Sequence, residues 1–179
     1  NIANEFSVKE IIFCLMELEK KQIFPQSQID NWKSKLKDVT VARSYKVYAE
    51  KEDSPVYNWA AFCMVSEWMR YYIGVAPKDM NFIDIQAASQ LQWVEENGMY
   101  RDALVHPPLV YDLVPRGLLS MLLHFGYHGE YYEQIDAALR KAGLLTLDMQ
   151  SVTGELGFGG RSNGFVHNES WIALVCAFE

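Results

Sequence analysis

Apolar residues recur at intervals of three and four along almost the whole chain, and glycines and prolines cut that recurrence into short segments. The interval belongs to the α-helix, whose side chains at i, i+3 and i+4 share one face. A chain patterned this way folds as helices joined by turns, with little strand.

The segments can be placed. Ser7-Val8-Lys9-Glu10 reads as a capping box, in which serine and glutamate satisfy the orphan N–H groups of a helix start. Ile11, Ile12, Leu15 and Leu18 then predict a helix to about Lys21. Pro25 restarts the chain, and Ile29, Trp32 and Leu36 mark a second helix after Ser27. From Val39 the pattern weakens: Val41, Tyr45 and Val47 read as a short extended piece, and Lys51 to Pro55 as loop. A third helix runs from about Tyr57 to Ile73, with Trp59, Phe62, Cys63, Ser66, Met69 and Ile73 on one face and Trp68 and Tyr72 on a second. Apolar surface on so much of the circumference implies burial between neighbours. Gly74 and Pro77 end this helix. Asp79 caps a fourth, from about Met80 to Asn97, and Gly98 stops it.

A loop from Met99 to Leu109 contains His106-Pro107-Pro108. The fifth helix follows from about Tyr111 to Phe125, with Pro115 in its first turn and a stripe of Val114, Leu118, Met121, Leu122 and Phe125. Gly126 to Gly129 turn the chain into a sixth helix from Tyr131 to Ala142, with Gly143 at its C-cap. After a glycine-rich loop, a seventh helix is entered near His167. The expected class is all-α, built of antiparallel helical hairpins, in a single helical domain over residues 1–179. The chain opens at Asn1 and stops at Glu179 within the apolar run Trp171 to Phe178, so it is expected to be a piece of a longer protein.

Composition excludes several classes of function. A net charge of −7, with dispersed lysines and arginines, argues against sequence-independent nucleic-acid binding, which needs basic surface to displace counterions. No apolar run reaches the roughly 20 residues that cross a bilayer, so no membrane span is expected. Cys14, Cys63 and Cys176 are far apart and odd in number, which gives no disulfide framework; each is expected to be a small buried hydrophobe. The four histidines show no zinc-binding spacing, and no metal or cofactor is expected.

Polar chemistry concentrates between Gly154 and Glu169, where five glycines stand among Arg161, Ser162, Asn163, His167, Asn168, Glu155 and Glu169. Glycine lets main chain approach a ligand closely. The Arg161 fork suits carboxylate or phosphate. Ser162, Asn163 and Asn168 suit hydroxyl-rich ligands, and His167 can exchange a proton near neutral pH. The glycines lack the order of a phosphate-binding P-loop. The plainer alternative is that Arg161 and Glu155 pair to brace the loop.

Two further clusters open helices after long loops. Tyr111, Asp112 and Arg116, preceded by His106, offer a phenol for proton transfer; alternatively Asp112 caps the helix and pairs with Arg116 at i,i+4. Tyr57, Asn58 and Trp59 offer an amide and aromatic faces that suit the C–H face of a sugar, although Trp59 also belongs to a core stripe. His124 and His128 straddle a short turn and read as surface or structural residues.

These three clusters together resemble the six-hairpin, or (α/α)-toroid, carbohydrate-active proteins, which include polysaccharide lyases and glycoside hydrolases. Tyr57-Asn58-Trp59, Tyr111-Asp112 and Gly159-Gly160-Arg161-Ser162-Asn163 before His167-Asn168-Glu169 carry the resemblance, over about Val56 to Glu179. It implies that the hairpins form part of an (α/α) toroid whose inner helices aim their N-terminal ends at a cleft holding a poly- or oligosaccharide. It also implies a secreted or periplasmic protein.

The leading expectation is a polysaccharide lyase that cleaves a uronic-acid-containing saccharide by β-elimination. Arg161 and Asn58 would hold the carboxylate, while His167 and Tyr111 would move the protons; Tyr57, Trp59, His106, Arg116, Ser162, Asn163 and Asn168 would complete the binding site. One alternative is a glycoside hydrolase using Asp112 with Glu169 or Glu155 as paired carboxylates. The other is a non-catalytic glycan-binding or interaction domain.

Overall fold

The computed structural model describes residues 5–49, 57–102, 110–155 and 167–178. Among these residues the chain is all-α. Its helices are α1 (Ser7–Lys20), α2 (Gln26–Lys35), α3 (Val41–Ser44), α4 (Lys46–Ala49), α5 (Tyr57–Tyr72), α6 (Met80–Leu91), α7 (Val110–His124), α8 (Tyr132–Met149) and α9 (His167–Phe178). None of them is long and apolar enough to cross a membrane.

Several boundaries depart from expectation, each for a local reason. α1 begins at Ser7 itself, with Phe6 as its N-cap and no side-chain cap bond. Ser7 is therefore already helical, and the Glu10 carboxylate turns to the Lys9 ammonium instead of closing a capping box. Residues 41–49 form two short helical turns rather than an extended piece. The Thr40 carbonyl accepts from the Arg43 and Ser44 N–H groups, and only Tyr45 between the turns is extended. Tyr45 is buried, and its hydroxyl donates to Glu67 at 2.5 Å, which pins the segment to α5.

α6 stops at Leu91, well short of Asn97, because the chain folds back on itself: Glu95 N–H donates to Met99 at 2.8 Å and Arg101 N–H to Trp93 at 2.8 Å. Gly98 lies inside this turn at φ +90°. A Cβ there would stand 2.6 Å from the Ala142 nitrogen and 2.7 Å from the Ala138 oxygen, so this glycine lets the turn press against α8. α8 in turn runs through Gly143 to Met149. The expected C-cap is interior because Leu144 to Met149 sustain the helix and Thr146 is held by Arg116 from α7. α7 starts at Val110, which puts Pro115 beyond the first turn and leaves the Tyr111 carbonyl without its usual i+4 donor. Asp79 does cap α6, accepting from Phe82 N–H at 2.9 Å. Cys63 is buried, but Cys14 and Cys176 are exposed, on the outer faces of α1 and α9.

Packing follows chain order. α1 lies against α2 and α5, α5 against α6 and α7, and α7 against α8 and α9. One core runs through these contacts, from Ile12 and Leu15 through Met64, Val65 and Met69 to Leu118, Leu119, Leu122, Ile135 and Leu139. Each such side chain contributes about 1.5–3 kcal/mol on full burial. A small second cluster of Leu113, Ile172 and Val175 joins α7 to α9. The first turns of α1, α5 and α7 meet at one end of this assembly, with Trp171 of α9 beside them.

Candidate functional site

At that end lies a cleft of about 420 Å3, lined by Phe6 and Glu10 from α1, Asn58, Trp59 and Phe62 from α5, Val110, Tyr111 and Val114 from α7, and Trp171 from α9. Helical geometry explains the selection. Residues 58, 59 and 62, like 110, 111 and 114, share one face of a helix over its first turns. The rings brace one another edge to face: Phe6 meets Trp59 at 5.2 Å and Phe62 at 4.8 Å, and Phe62 meets Trp171 at 6.2 Å between centroids. Such contacts fix ring orientation and add to the area they bury. Gly117, on α7, allows Trp171 its position, since a Cβ at Gly117 would stand 2.7 Å from the indole ring.

Behind this wall sits Lys9. Its side chain is only 3% exposed, while its partner Glu10 is 62% exposed. The ammonium bonds to the Glu10 carboxylate and lies 5.2 Å from the Phe62 ring centroid and 5.4 Å from that of Trp171. Burial pulls the Lys9 amine below its ordinary value, and the bond and charge of Glu10 pull it back up. Lys46 stands over Trp59 on the other flank, 5.8 Å from the ring centroid.

A second polar group lies deeper. Asp112 accepts from Tyr100 N–H at 2.6 Å, and from Arg116 through Nε at 3.0 Å and Nη2 at 2.7 Å. The same guanidinium donates to Thr146 Oγ1 at 2.7 Å, and Thr146 donates to the Ala142 carbonyl at 3.0 Å. Both members of the ion pair are almost fully buried. Burial pushes the Asp112 carboxyl up from the ordinary carboxylate range, against the opposing pull of Arg116 and the Tyr100 N–H. Next to this bracket, Asn58 donates its backbone N–H to Asp102 Oδ1 at 2.9 Å and its side-chain amide to Oδ2.

The expected site residues are therefore divided. Asn58, Trp59 and Tyr111 line one cleft. Asp112 and Arg116 form the buried i,i+4 pair weighed above as the alternative to a ligand role. Asn168 is buried at the start of α9. Glu155 closes an exposed turn, its carbonyl accepting from Ser151 N–H at 2.9 Å. His106, Arg161, Ser162 and Asn163 lie outside the described residues, as do the side chains of Tyr57, His167 and Glu169. His124 and His128 are exposed beside aromatic rings, His128 at 4.5 Å from Tyr132.

Sequence reasoning missed Phe6, Phe62 and Trp171 as parts of the cleft and Lys9 behind it, and read Glu10 only as half of a capping box. One signal was available for Lys9: it stands three residues before Ile12, on the stripe that also carries buried Val8 and Leu15. A cation on an apolar stripe needs a partner. No family model, curated protein or solved structure matches the chain.

Proposed function

We propose that this chain is a carbohydrate-active protein, or part of one, whose leading activity is β-elimination on a uronic-acid-containing saccharide. The observation that carries the reading is the meeting of Asn58, Trp59 and Tyr111, from two different helix starts, in one aromatic-walled cleft. About 420 Å3 lies within the range of small-molecule sites and takes one or two sugar rings. Trp59 and Trp171 line the cleft and belong to the residue type that stacks on the C–H side of a pyranose, and the rigid ring contacts prepay part of the ordering cost of binding. Helices α1, α5 and α7 begin at the cleft with other helices between them in the chain, an order that supports an (α/α)-toroid arrangement.

In the elimination a base takes the proton at C5, the freed pair forms the C4=C5 double bond, the C4–O bond breaks, and the departing oxygen accepts a proton. Tyr111, at the cleft wall, and His167, four residues before Trp171, are the two proton carriers of this reading. Hydrolysis by paired carboxylates is weaker, because Asp112 is buried against Arg116 and away from the cleft.

The test is incubation of the chain with uronate-containing glycans while following the ultraviolet absorbance of the unsaturated product. Growth of that absorbance supports the reading. New reducing ends without absorbance mean hydrolysis, and saturable binding without any product means a non-catalytic glycan-binding domain.

A further inference from the structure

We propose that Lys9 is the residue by which the cleft selects a carboxylate-bearing ligand, and that Glu10 occupies its ammonium until such a ligand displaces it. The inference rests on the saccharide reading above for the identity of the ligand, but its chemistry is that of any carboxylate carried on a flat, partly apolar frame.

A buried ammonium needs anionic or hydrogen-bonding partners on its donors. Lys9 has the Glu10 carboxylate as its ion-pair partner, and two aromatic rings as further neighbours. Phe62, Trp171 and Glu10, three neighbours of the ammonium, are all cleft-lining residues. The position of the Glu10 carboxylate is thus within the cleft and within bonding reach of a fixed cation. Glu10 can turn outward: its side chain is 62% exposed, so its carboxylate is already largely hydrated. Lys9 cannot follow it outward, because its stem is buried in the wall. A ligand carboxylate entering between Trp59 and Trp171 would take over the charge-assisted bond while Glu10 turns to water, so that the number of buried charge pairs is conserved.

Helix N-termini carry partial positive charge and favour anions within about one turn, and the first turns of α1, α5 and α7 meet around the same cavity.

The experiment compares the chain with its Lys9→Met and Glu10→Gln variants by calorimetric titration with three probes: an unsaturated-free digalacturonate, its methyl ester, and phenylacetate. Methionine matches the lysine stem in an aromatic setting, so Lys9→Met keeps the fold, as thermal unfolding will report. The expected result is that wild type prefers the digalacturonate over its ester. Lys9→Met should weaken acid binding about 10- to 100-fold, the span of a lost charged hydrogen bond, and leave the ester unchanged. Glu10→Gln, which removes the competing charge, should tighten acid binding. Equal affinity of wild type for acid and ester, or a Lys9→Met loss shared equally by both, overturns the inference. Phenylacetate bound in a Lys9-dependent manner, with neither sugar bound, upholds the carboxylate site and overturns the saccharide reading. No binding of any probe overturns both.

Discussion

The buried bracket of Asp112, Arg116 and Thr146 and the aromatic cleft of Trp59, Tyr111 and Trp171 arise from the same few turns of helix, yet they do opposite work. Tyr111 and Asp112 are adjacent in sequence, and the 100° between neighbours on a helix sends one to the cleft wall and the other inward to Arg116. In the bracket both Asp112 carboxylate oxygens, the Arg116 Nε and Nη2 and the Thr146 hydroxyl are matched within the protein, across α7, α8 and the turn at Tyr100. In the cleft the rings are braced against one another, and the ammonium behind them pairs with an exposed glutamate. A polar cluster at a helix start is thus no guide to ligand binding until the direction of each side chain is known.

Breaking the bracket should have the largest effect on stability. Asp112→Ala breaks the buried ion pair with Arg116, which costs about 3–5 kcal/mol. Urea unfolding followed by circular dichroism would read this as a fall in midpoint. A loss below about 1 kcal/mol would mean that the pair is solvated and that the two regions are less different than their burial implies. Asn58→Ala comes next, because Asn58 lines the cleft and also bonds to Asp102, a buried carboxylate beside the bracket. Removing the amide deletes a buried bond to that carboxylate and costs about 1–3 kcal/mol. If Asn58 serves mainly that bond, ligand affinity at temperatures where the variant stays folded should be nearly that of wild type.

The division between legible and illegible follows the same line. The helical class, the α5 and α9 starts and the Asp79 cap could be read because they depend on period and on local capping chemistry. The ends of α6 and α8 could not. Gly98 and Gly143 look alike in sequence, but one sits in a turn pressed against α8 and the other within a helix secured from outside by Arg116. Those outcomes depend on contacts between residues more than 25 apart. At the site, Asn58, Trp59 and Tyr111 stood out because each opens a helix after a loop. Phe62 and Trp171 did not, since an aromatic at helical spacing is equally a core residue. Lys9 was hidden by a capping motif that failed by a single residue of register, with Phe6 rather than Ser7 outside the helix.

Gly117→Ala sharpens the comparison from the cleft side. The new Cβ would meet the Trp171 ring at 2.7 Å, and overpacking costs about 1–3 kcal/mol where the neighbours are fixed. Trp171 borders a cavity and can move into it, so the cost should fall at the lower end. The displaced ring narrows the cleft, and affinity for a bound saccharide should drop while the Asp112–Arg116 pair stays intact. Tryptophan fluorescence and calorimetric titration on the same sample would separate the two effects. Unchanged fluorescence and affinity would mean that Trp171 is held by the small cluster around Ile172 and is no movable wall.

Tyr111→Phe has the smallest expected effect on stability, since it keeps the ring in the wall and removes one hydroxyl, at a cost of about 1 kcal/mol or less. Its value lies in that smallness, because any large change in turnover then reports chemistry rather than folding. With Tyr111 as a proton carrier, formation of the unsaturated product should fall by at least about 100-fold, the lower range for a lost general acid or base, with saccharide affinity retained. Turnover within a fewfold of wild type would reduce Tyr111 to a wall residue like Phe62. The proton chemistry would then fall to His167 alone among the two carriers, and the distinction between a matched bracket and a cleft with chemistry to spare would rest on α9 instead of α7.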